Sequence, residues 1–341
     1  MQIEQLRSRL RALGAKPCHE DILLRAWTRG LPLDGGSPPQ PPLRLRQSLP
    51  TLGAELQALT RLRAEHAGAD GAERLLLELA DGQSIESVLL PREGLCVSTQ
   101  VGCAVGCVFC MTGREGLRRQ LGSAEIVAQV ALARARRSVR KVVFMGMGEP
   151  AHNMDSVLAA IELLGTAGGI GHKNLVFSTV GDRRVFERLP QGRVKPALAL
   201  SLHTVRAELR ARLLPQAPRL DPAELVALGE AYARATGYPI QYQWTLLAGI
   251  NDGDEELQAL VGLLKGKYAV MNFIPYNAVA GLPFRRPSRE RAVDMARHLL
   301  QHGILAKLRQ SAGQEIDAGC GQLRARAAGA DNGARAEGHV Q

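Results

Sequence analysis

With 341 residues, 45% of them hydrophobic, the chain can bury one sizeable core, and length alone leaves open a single α/β barrel with appendages or two domains. A formal net charge of +10 and a pI near 9.7 favour a polyanionic partner, nucleic acid or an anionic membrane face, although the excess of arginine, alanine and glycine also fits plain compositional bias. No apolar run approaches the ~20 residues of a membrane helix and the start, MQIEQLRSRLRALGAK, lacks a signal-peptide core; the expected location is the cytoplasm, where six cysteines point to metal, catalysis or burial rather than structural disulfides.

Residues 1–30 predict one or two amphipathic helices, with Leu6, Leu10 and Leu13 on one face and Ile22, Leu23 and Trp27 on another. The Pro- and Gly-rich stretch 30–50 predicts an irregular connection that closes a small N-terminal helical accessory region, 1–50. An extension over 51–95 follows, with a helix near 53–65 and strands near 74–80 and 84–90 joined as a hairpin by Asp81-Gly82. From Cys96 onward, aliphatic runs alternate with helical periodicity: CVSTQVG, a helix over 123–137, KVVFMG, then strands at 175–179, 197–203, 240–247, 269–275 and 304–310. About six strand–helix units over 96–323 predict a partial or complete parallel β/α barrel with its chemistry at the strand C-terminal ends. The tail, 324–341, has almost no large apolar residue and is expected to be disordered.

The segment VGCAVGCVFCMTG spaces Cys103, Cys107 and Cys110 as C-x3-C-x2-C, with Ala104 and Gly106 small enough for a tight loop. A cubane has four irons, so three thiolates leave one iron open to chelate the amino and carboxylate groups of S-adenosylmethionine, whereas structural zinc takes a closed set of four ligands. The alternatives are a zinc site completed by Cys96 or Cys320, or buried thiols. This spacing, with the aromatic Phe109 before the third cysteine, resembles the radical S-adenosylmethionine (radical SAM) superfamily. In VVFMGMGEP, Glu149 ends a buried strand where it can accept from the methionine amino group, and Gly146 and Gly148 permit close backbone approach.

A sharper resemblance is to the RlmN/Cfr family of RNA adenosine methyltransferases, over about 85–325: CVSTQVGC with the two further cysteines, GREG, VVFMGMGEP, the STVG turn, LALSLH, the GIND segment, NFIPYN and CGQL. The resemblance implies an α/β fold, the radical SAM partial (β/α)6-type barrel, a 4Fe–4S cluster on Cys103, Cys107 and Cys110, and S-adenosylmethionine held by Gly148, Glu149, Ser178, Ser201, Leu202, His203 and Asn277. It also implies a two-cysteine mechanism. Cys320 becomes S-methylcysteine, a 5′-deoxyadenosyl radical takes a hydrogen from that methyl, and the carbon radical adds to adenine; Cys96 helps release the adduct, forming a disulfide with Cys320. Glu86, in DGQSIESVLLP, is a candidate proton acceptor, with an exposed strand carboxylate as its alternative.

The implied partners are 23S ribosomal RNA, with transfer RNA as a second substrate, and an electron donor such as flavodoxin; the implied state is a monomer. Methylation at carbon 2 is the main reading, and a carbon-8 enzyme conferring ribosomal antibiotic resistance or a non-methylating iron–sulfur RNA-binding or redox-sensing protein are the others. Of the basic segments, Arg114, Arg118 and Arg119 are candidates for RNA phosphate contacts, and RARRSVRK (134–141) reads as a solvated face. Cys18 reads as a small buried residue. Before Cys320 the chain has RQSAGQEIDAG, where carbon-2 members of the family are more arginine-rich.

Overall fold

The computed structural model describes residues 1–33, 39–279 and 281–325. Helices α1 (Ile3–Ala12) and α2 (Pro17–Thr28) bury Leu6 and Leu10, and Leu23, Leu24 and Trp27, much as the periodicity predicts. The expected irregular connection over 30–50 is in part helical: α3 (Leu43–Ala58) begins inside it, while 34–38 lie outside the described residues. Leu45, Leu49, Leu52 and Leu56 form its buried stripe. A proline inside a helix costs ~3 kcal/mol, whereas each buried leucine contributes ~1.5–3 kcal/mol, so the stripe wins over Pro50, which sits on the exposed face.

The helix expected at 53–65 therefore ends at 58, and 60–67 form strand β1 (Thr60–Ala67), antiparallel to β2 (Glu73–Leu79). A hairpin turn through Asp81 and Gly82 (φ 80°) leads to β3 (Ser84–Leu90), as expected. The extension is thus three-stranded. It joins the barrel through β4 (Gly94–Cys96), antiparallel to β3 and parallel to the barrel strand that follows it in the sheet.

A small separate ladder, β5 (Gln100–Gly102) with β6 (Leu117–Gln120), brackets the cysteine loop. Helix α4 (Ser123–Arg134), buried along nearly its whole length beneath the N-terminal helices, then leads into β7 (Lys141–Phe144). The alternation continues with α5 (Met154–Gly165), β8 (Leu175–Thr179), α6 (Arg183–Arg188), β9 (Ala197–Ser201), α7 (Ala207–Leu213), α8 (Pro222–Thr236), β10 (Ile240–Leu246), α9 (Asp254–Leu264), β11 (Ala269–Pro275), α10 (Arg289–Gln301) and β12 (Ala306–Leu308). Strand order is β1-β2-β3-β4-β7-β8-β9-β10-β11-β12, parallel from β4 onward.

The sheet ends at β1 and β12, so the barrel is partial. Its strands are buried on both faces in runs such as Leu175-Val176-Phe177 and Ala197-Leu198-Ala199-Leu200, the pattern of a parallel sheet covered by helices. All the parallel strands end on one rim. The tail expected to be disordered from 324 begins with two described residues, Arg324 and Ala325, that bond into the protein; the remainder of that segment lies outside the described residues. Among the described residues no helix is long and apolar enough to cross a membrane.

Candidate active site

Cys96 ends β4, and the loop between β5 and β6 carries the three clustered cysteines on the same rim. The loop closes because Cys103 N–H donates to Gly116 O (3.1 Å) and Cys110 N–H to Cys107 O (3.0 Å). Gly102 (φ 77°) is required: a Cβ there would stand 2.0 Å from Gly116 O. Val108 N–H donates to Leu213 O (3.1 Å), docking the loop on α7.

Burial pushes the Cys103 thiol up to about 12, against the backbone N–H donors of Val105 and Gly106 and with help from Glu149 and Cys110. Cys107 is raised well above its ordinary value, by burial first and then by the charges of Cys110, Cys103 and Glu149. Cys110 is raised by burial, against donors from Thr112 and Gly113. Three desolvated thiols, two of them raised further by their neighbours' charge, are a poor resting place for bare thiolates and a good one for a cationic centre that replaces the protons. No three His, Cys, Asp or Glu side chains among the described residues converge to chelate a single ion. Three cysteines on one loop leave one iron of a cubane open, whereas structural zinc takes a closed set of four ligands, so the donor set fits a 4Fe–4S cluster better than zinc.

Beside this loop lie the ends of β7, β8 and β9. Gly148 (φ 108°) sits against Gln100, whose side chain a Cβ would approach to 2.7 Å, and Gln100 Oε1 accepts from Glu149 N–H (2.7 Å). The buried Glu149 carboxylate accepts from Ala151 N–H and Val180 N–H (both 3.0 Å) and from the Thr179 side chain. Desolvation nevertheless raises its pKa to about 7 from an ordinary 4.5. The folded chain then binds this proton more tightly than the unfolded chain, so stability falls as pH rises from about 4.5 to about 7 and is flat above. Glu149→Gln removes that slope. The cluster-free variant is expected to gain on wild type by on the order of 1–3 kcal/mol between pH 5 and pH 8. Thermal midpoints at the two pH values check it; a gap that does not change with pH refutes it.

Ser178 is half-buried at the end of β8, and Ser201 half-buried at the end of β9. Strand β9 stops there, two residues short of the expected 203. Leu202 is buried in the core, its N–H donating to Gln243 O (3.0 Å), and His203 adopts φ 62°, a left-handed conformation costly for a non-glycine residue. Asn251 holds it there, donating to His203 O and Thr245 O (both 2.8 Å). His203 Nδ1 accepts from Thr245 N–H (3.0 Å), and the ring meets Phe109 edge-on at 5.0 Å. Burial, then Arg210, depresses its pKa to about 3, so the ring is neutral and presents Nε2–H.

Arg210, on α7, is absent from the sequence reading and stands in the middle of the site. It is 3% exposed, and Nη2 donates to Val180 O and Ser201 O. Burial lowers its pKa to about 10, against Cys107 and Glu149. The available signal is an arginine on the face of α7 that carries Leu213 and Leu214 three and four residues on.

The segment after β12 returns across the rim and packs Cys320 beside the cysteine loop. Met111 N–H donates to Gly321 O (2.8 Å), Thr112 Oγ1 to Leu323 O (2.7 Å), and Asn277 Nδ2 to Cys320 O (3.0 Å) and Ser311 Oγ (2.9 Å). The Cys320 thiol is solvent-accessible yet recessed enough that burial raises its pKa; Cys110 raises it further and Arg309 opposes. The buried Cys96 thiol is raised by desolvation and by the charge of Cys320, which places the two cysteines within electrostatic reach. Both are free thiols, so the disulfide implied between them is not formed in this structure. Cys18 is exposed, not buried.

Glu86 is fully buried rather than an exposed strand carboxylate. Its Oε1 pairs with Arg74 Nη1 (2.5 Å), and Oε2 accepts from Arg324 N–H (2.8 Å) and Ala325 N–H (3.0 Å). A carboxylate so occupied is an anchor for the Cys320 segment. Glu86→Ala strands a buried guanidinium and is expected to cost about 3–5 kcal/mol in urea unfolding, whereas a variant replacing both partners by apolar residues is expected to lose far less.

Two expectations about arginines are corrected. Arg119 is not a free phosphate contact: it pairs with Glu125 (2.8 Å) and Asp81 (2.6 Å), bracing β6 against α4 and the hairpin. RARRSVRK is not simply solvated, since Arg134 donates to Thr28 O (3.0 Å) and Gly168 O (2.8 Å), and Arg137 to Leu90 O (2.8 Å). Arg114 is exposed, as is Arg118 in its surface pair with Glu115.

Comparison with known proteins agrees with this geometry. Residues 97–261 match the Radical SAM superfamily. The chain is 75% identical to a probable RNA methyltransferase of Aromatoleum aromaticum, covering 96% of this chain and 93% of that one, and 71% identical to a probable RNA methyltransferase of Methylibium petroleiphilum, covering 96% and 94%. Among solved structures, a radical SAM methyltransferase from Sphaerobacter thermophilus is similar with a TM-score of 0.83 at 36% identity, covering 96% of this chain and 98% of that one.

Proposed function

Because the chain belongs to the radical SAM RNA methyltransferases, we propose that it methylates carbon 2 of an adenosine in 23S ribosomal RNA, with transfer RNA as a second substrate, by way of S-methylated Cys320. One observation carries the reading: an accessible cysteine, Cys320, is bonded through its own backbone segment to the C-x3-C-x2-C loop and stands within electrostatic reach of both Cys110 and Cys96. A plain iron–sulfur binder has no need of a fourth thiol held there.

When bound to Cys103, Cys107 and Cys110, a 4Fe–4S cluster supplies the electron that cleaves S-adenosylmethionine to a 5′-deoxyadenosyl radical. The protein's own groups do the rest. Glu149 receives the ammonium of the methionine end, and its ionisation is favoured once that cation arrives. Gly148, Ser178, Ser201, Leu202, His203 and Asn277 line or support the same rim, His203 offering Nε2–H, and Asn277 acting through the Cys320 backbone. Carbon 2 of adenine is too poor a nucleophile to take a methyl cation from a sulfonium, so the Cys320 sulfur takes it first. Loss of one hydrogen from that methyl to the 5′-deoxyadenosyl radical gives a carbon radical that adds to the ring; the adduct would then return one electron to the oxidised cluster and lose its carbon-2 proton to Cys96, whose sulfur attacks that of Cys320 and passes the proton on, so that the S–CH2 bond breaks, a disulfide forms and the methylene becomes the methyl. Glu86 stays an anchor while Arg324 and Ala325 remain bonded to it.

The test is anaerobic turnover of reconstituted protein with labelled S-adenosylmethionine, an electron donor such as reduced flavodoxin and unmodified ribosomal RNA, followed by nucleoside mass spectrometry. The expected product is labelled 2-methyladenosine. 8-Methyladenosine would overturn the ring position, and 5′-deoxyadenosine without methylated nucleoside would overturn the choice of RNA.

A further inference from the structure

Tyr276, just past the end of β11, holds a hydroxyl that nothing in the surrounding protein bonds. The residue is 3% exposed, and its Oη is buried with no hydrogen-bond partner among the described residues. Its position is fixed. Tyr276 N–H donates to Leu246 O (3.2 Å), Tyr276 O accepts from Arg286 Nε (3.0 Å), and the ring meets Phe284 edge-on at 6.0 Å. The ring shares one apolar cluster with Cys103, Phe109 and Leu247, and Cys107 and Cys110 pack against that cluster. Burial raises the pKa of the phenol, against Val279 N–H, and the charge of Cys110 raises it further. Even with Val279 N–H nearby as a donor, the phenolic hydrogen lacks an acceptor, and burying it in that state costs free energy.

We infer that the Tyr276 hydroxyl donates a hydrogen bond to a sulfur of the 4Fe–4S cluster on its Cys110 side, and so makes the cluster easier to reduce. The inference rests on the proposed cluster on Cys103, Cys107 and Cys110. A loaded cluster converts the three thiols to thiolates and adds sulfides, so acceptor sulfur arrives beside the apolar cluster in which the unmet hydrogen is buried. A hydrogen bond to sulfur offsets the charge of the reduced state more than that of the oxidised state, which moves the potential upward. The next residue, Asn277, bonds to the backbone of Cys320, so two consecutive side chains serve the electron-accepting and the methyl-carrying sides of one rim.

The experiment compares wild type with Tyr276→Phe, which keeps the ring and removes only the oxygen. The midpoint potential of the reconstituted cluster is read by electron paramagnetic resonance during a redox titration without S-adenosylmethionine. Iron content is recorded for both, and urea unfolding is measured on the cluster-free proteins. In the Phe variant the ratio of reduced to oxidised cluster at a fixed potential is expected to fall about 3- to 10-fold, a midpoint about 30–60 mV more negative, at unchanged iron per chain. The cluster-free variant is expected to unfold at the same urea concentration as wild type or above it, since it gives up a desolvated hydroxyl and no bond. An unchanged potential, or iron lost from the variant, would overturn the inference and leave the hydroxyl a packing or seating group. A lower urea midpoint would also overturn it, by showing that the hydroxyl is already satisfied within the protein. If wild type takes up no 4Fe–4S cluster, it is the underlying reading of the cysteine loop that fails.

Discussion

Cys320→Ala is expected to abolish RNA methylation, by roughly 10³-fold or more, while leaving reductive cleavage of S-adenosylmethionine measurable. The separation of the two activities follows from how the residue is held. Every hydrogen bond described for this segment runs through backbone or through neighbours: Gly321 O to Met111, Leu323 O to Thr112, Cys320 O to Asn277, Gly319 N–H to Gln322. Loss of Sγ therefore leaves the segment seated and the rim intact. The methyl carrier alone disappears. Mass spectrometry of tryptic peptides from wild type should show a methyl on the Cys320 peptide, and 5′-deoxyadenosine should still form in the variant. Methylated RNA from Cys320→Ala at anything near the wild-type rate would end the S-methylcysteine reading.

Cys107→Ser is expected to take the whole reaction away. A serine hydroxyl ionises far less readily than a thiol and is a harder donor, so the loop keeps two of its three thiolates and loses the cubane. Iron per chain should fall from about four to below about one, and 5′-deoxyadenosine formation by roughly 10³-fold or more. The fold should survive, because the loop is closed by backbone bonds such as Cys103 N–H to Gly116 O and Val108 N–H to Leu213 O. The contrast with Cys320→Ala is diagnostic: one variant separates cleavage from methylation, the other removes both. A Cys107→Ser protein that retained a full cluster would require a different ligand set.

Much of this arrangement is legible in the sequence because its signals are local. The cysteine spacing, the two glycines before Glu149 and the alternation of buried strands with helices each lie within a short window, and parallel strands then carry all their C-terminal ends to one rim. What escapes is set by tertiary pairing. Pro50 masks α3, whose leucine stripe is readable only if the proline is allowed on the exposed face. Residues 60–67 alternate well enough for a strand, yet nothing local says that β2 waits beside them. Glu86 looks like an edge carboxylate until the C-terminal segment covers it, and Arg119 looks like a phosphate ligand until Glu125 and Asp81 meet it. Arg210 is one arginine among many; only burial at the junction of β8, β9 and α7 distinguishes it.

The placement of the cysteines also sets a sequence of events during synthesis. Cys103, Cys107 and Cys110 are neighbours on the chain, and their loop is closed by Gly116, so the cradle can form as soon as that stretch and its first strands exist. Cys320 is more than two hundred residues beyond Cys96, after the last strand, and its seat must wait for the barrel to be wound. The clamp made by Glu86 on Arg324 and Ala325 is consequently among the last contacts to form. A chain stalled short of this segment would therefore leave the cysteine loop uncovered where Gly321 O and Leu323 O otherwise bond to it.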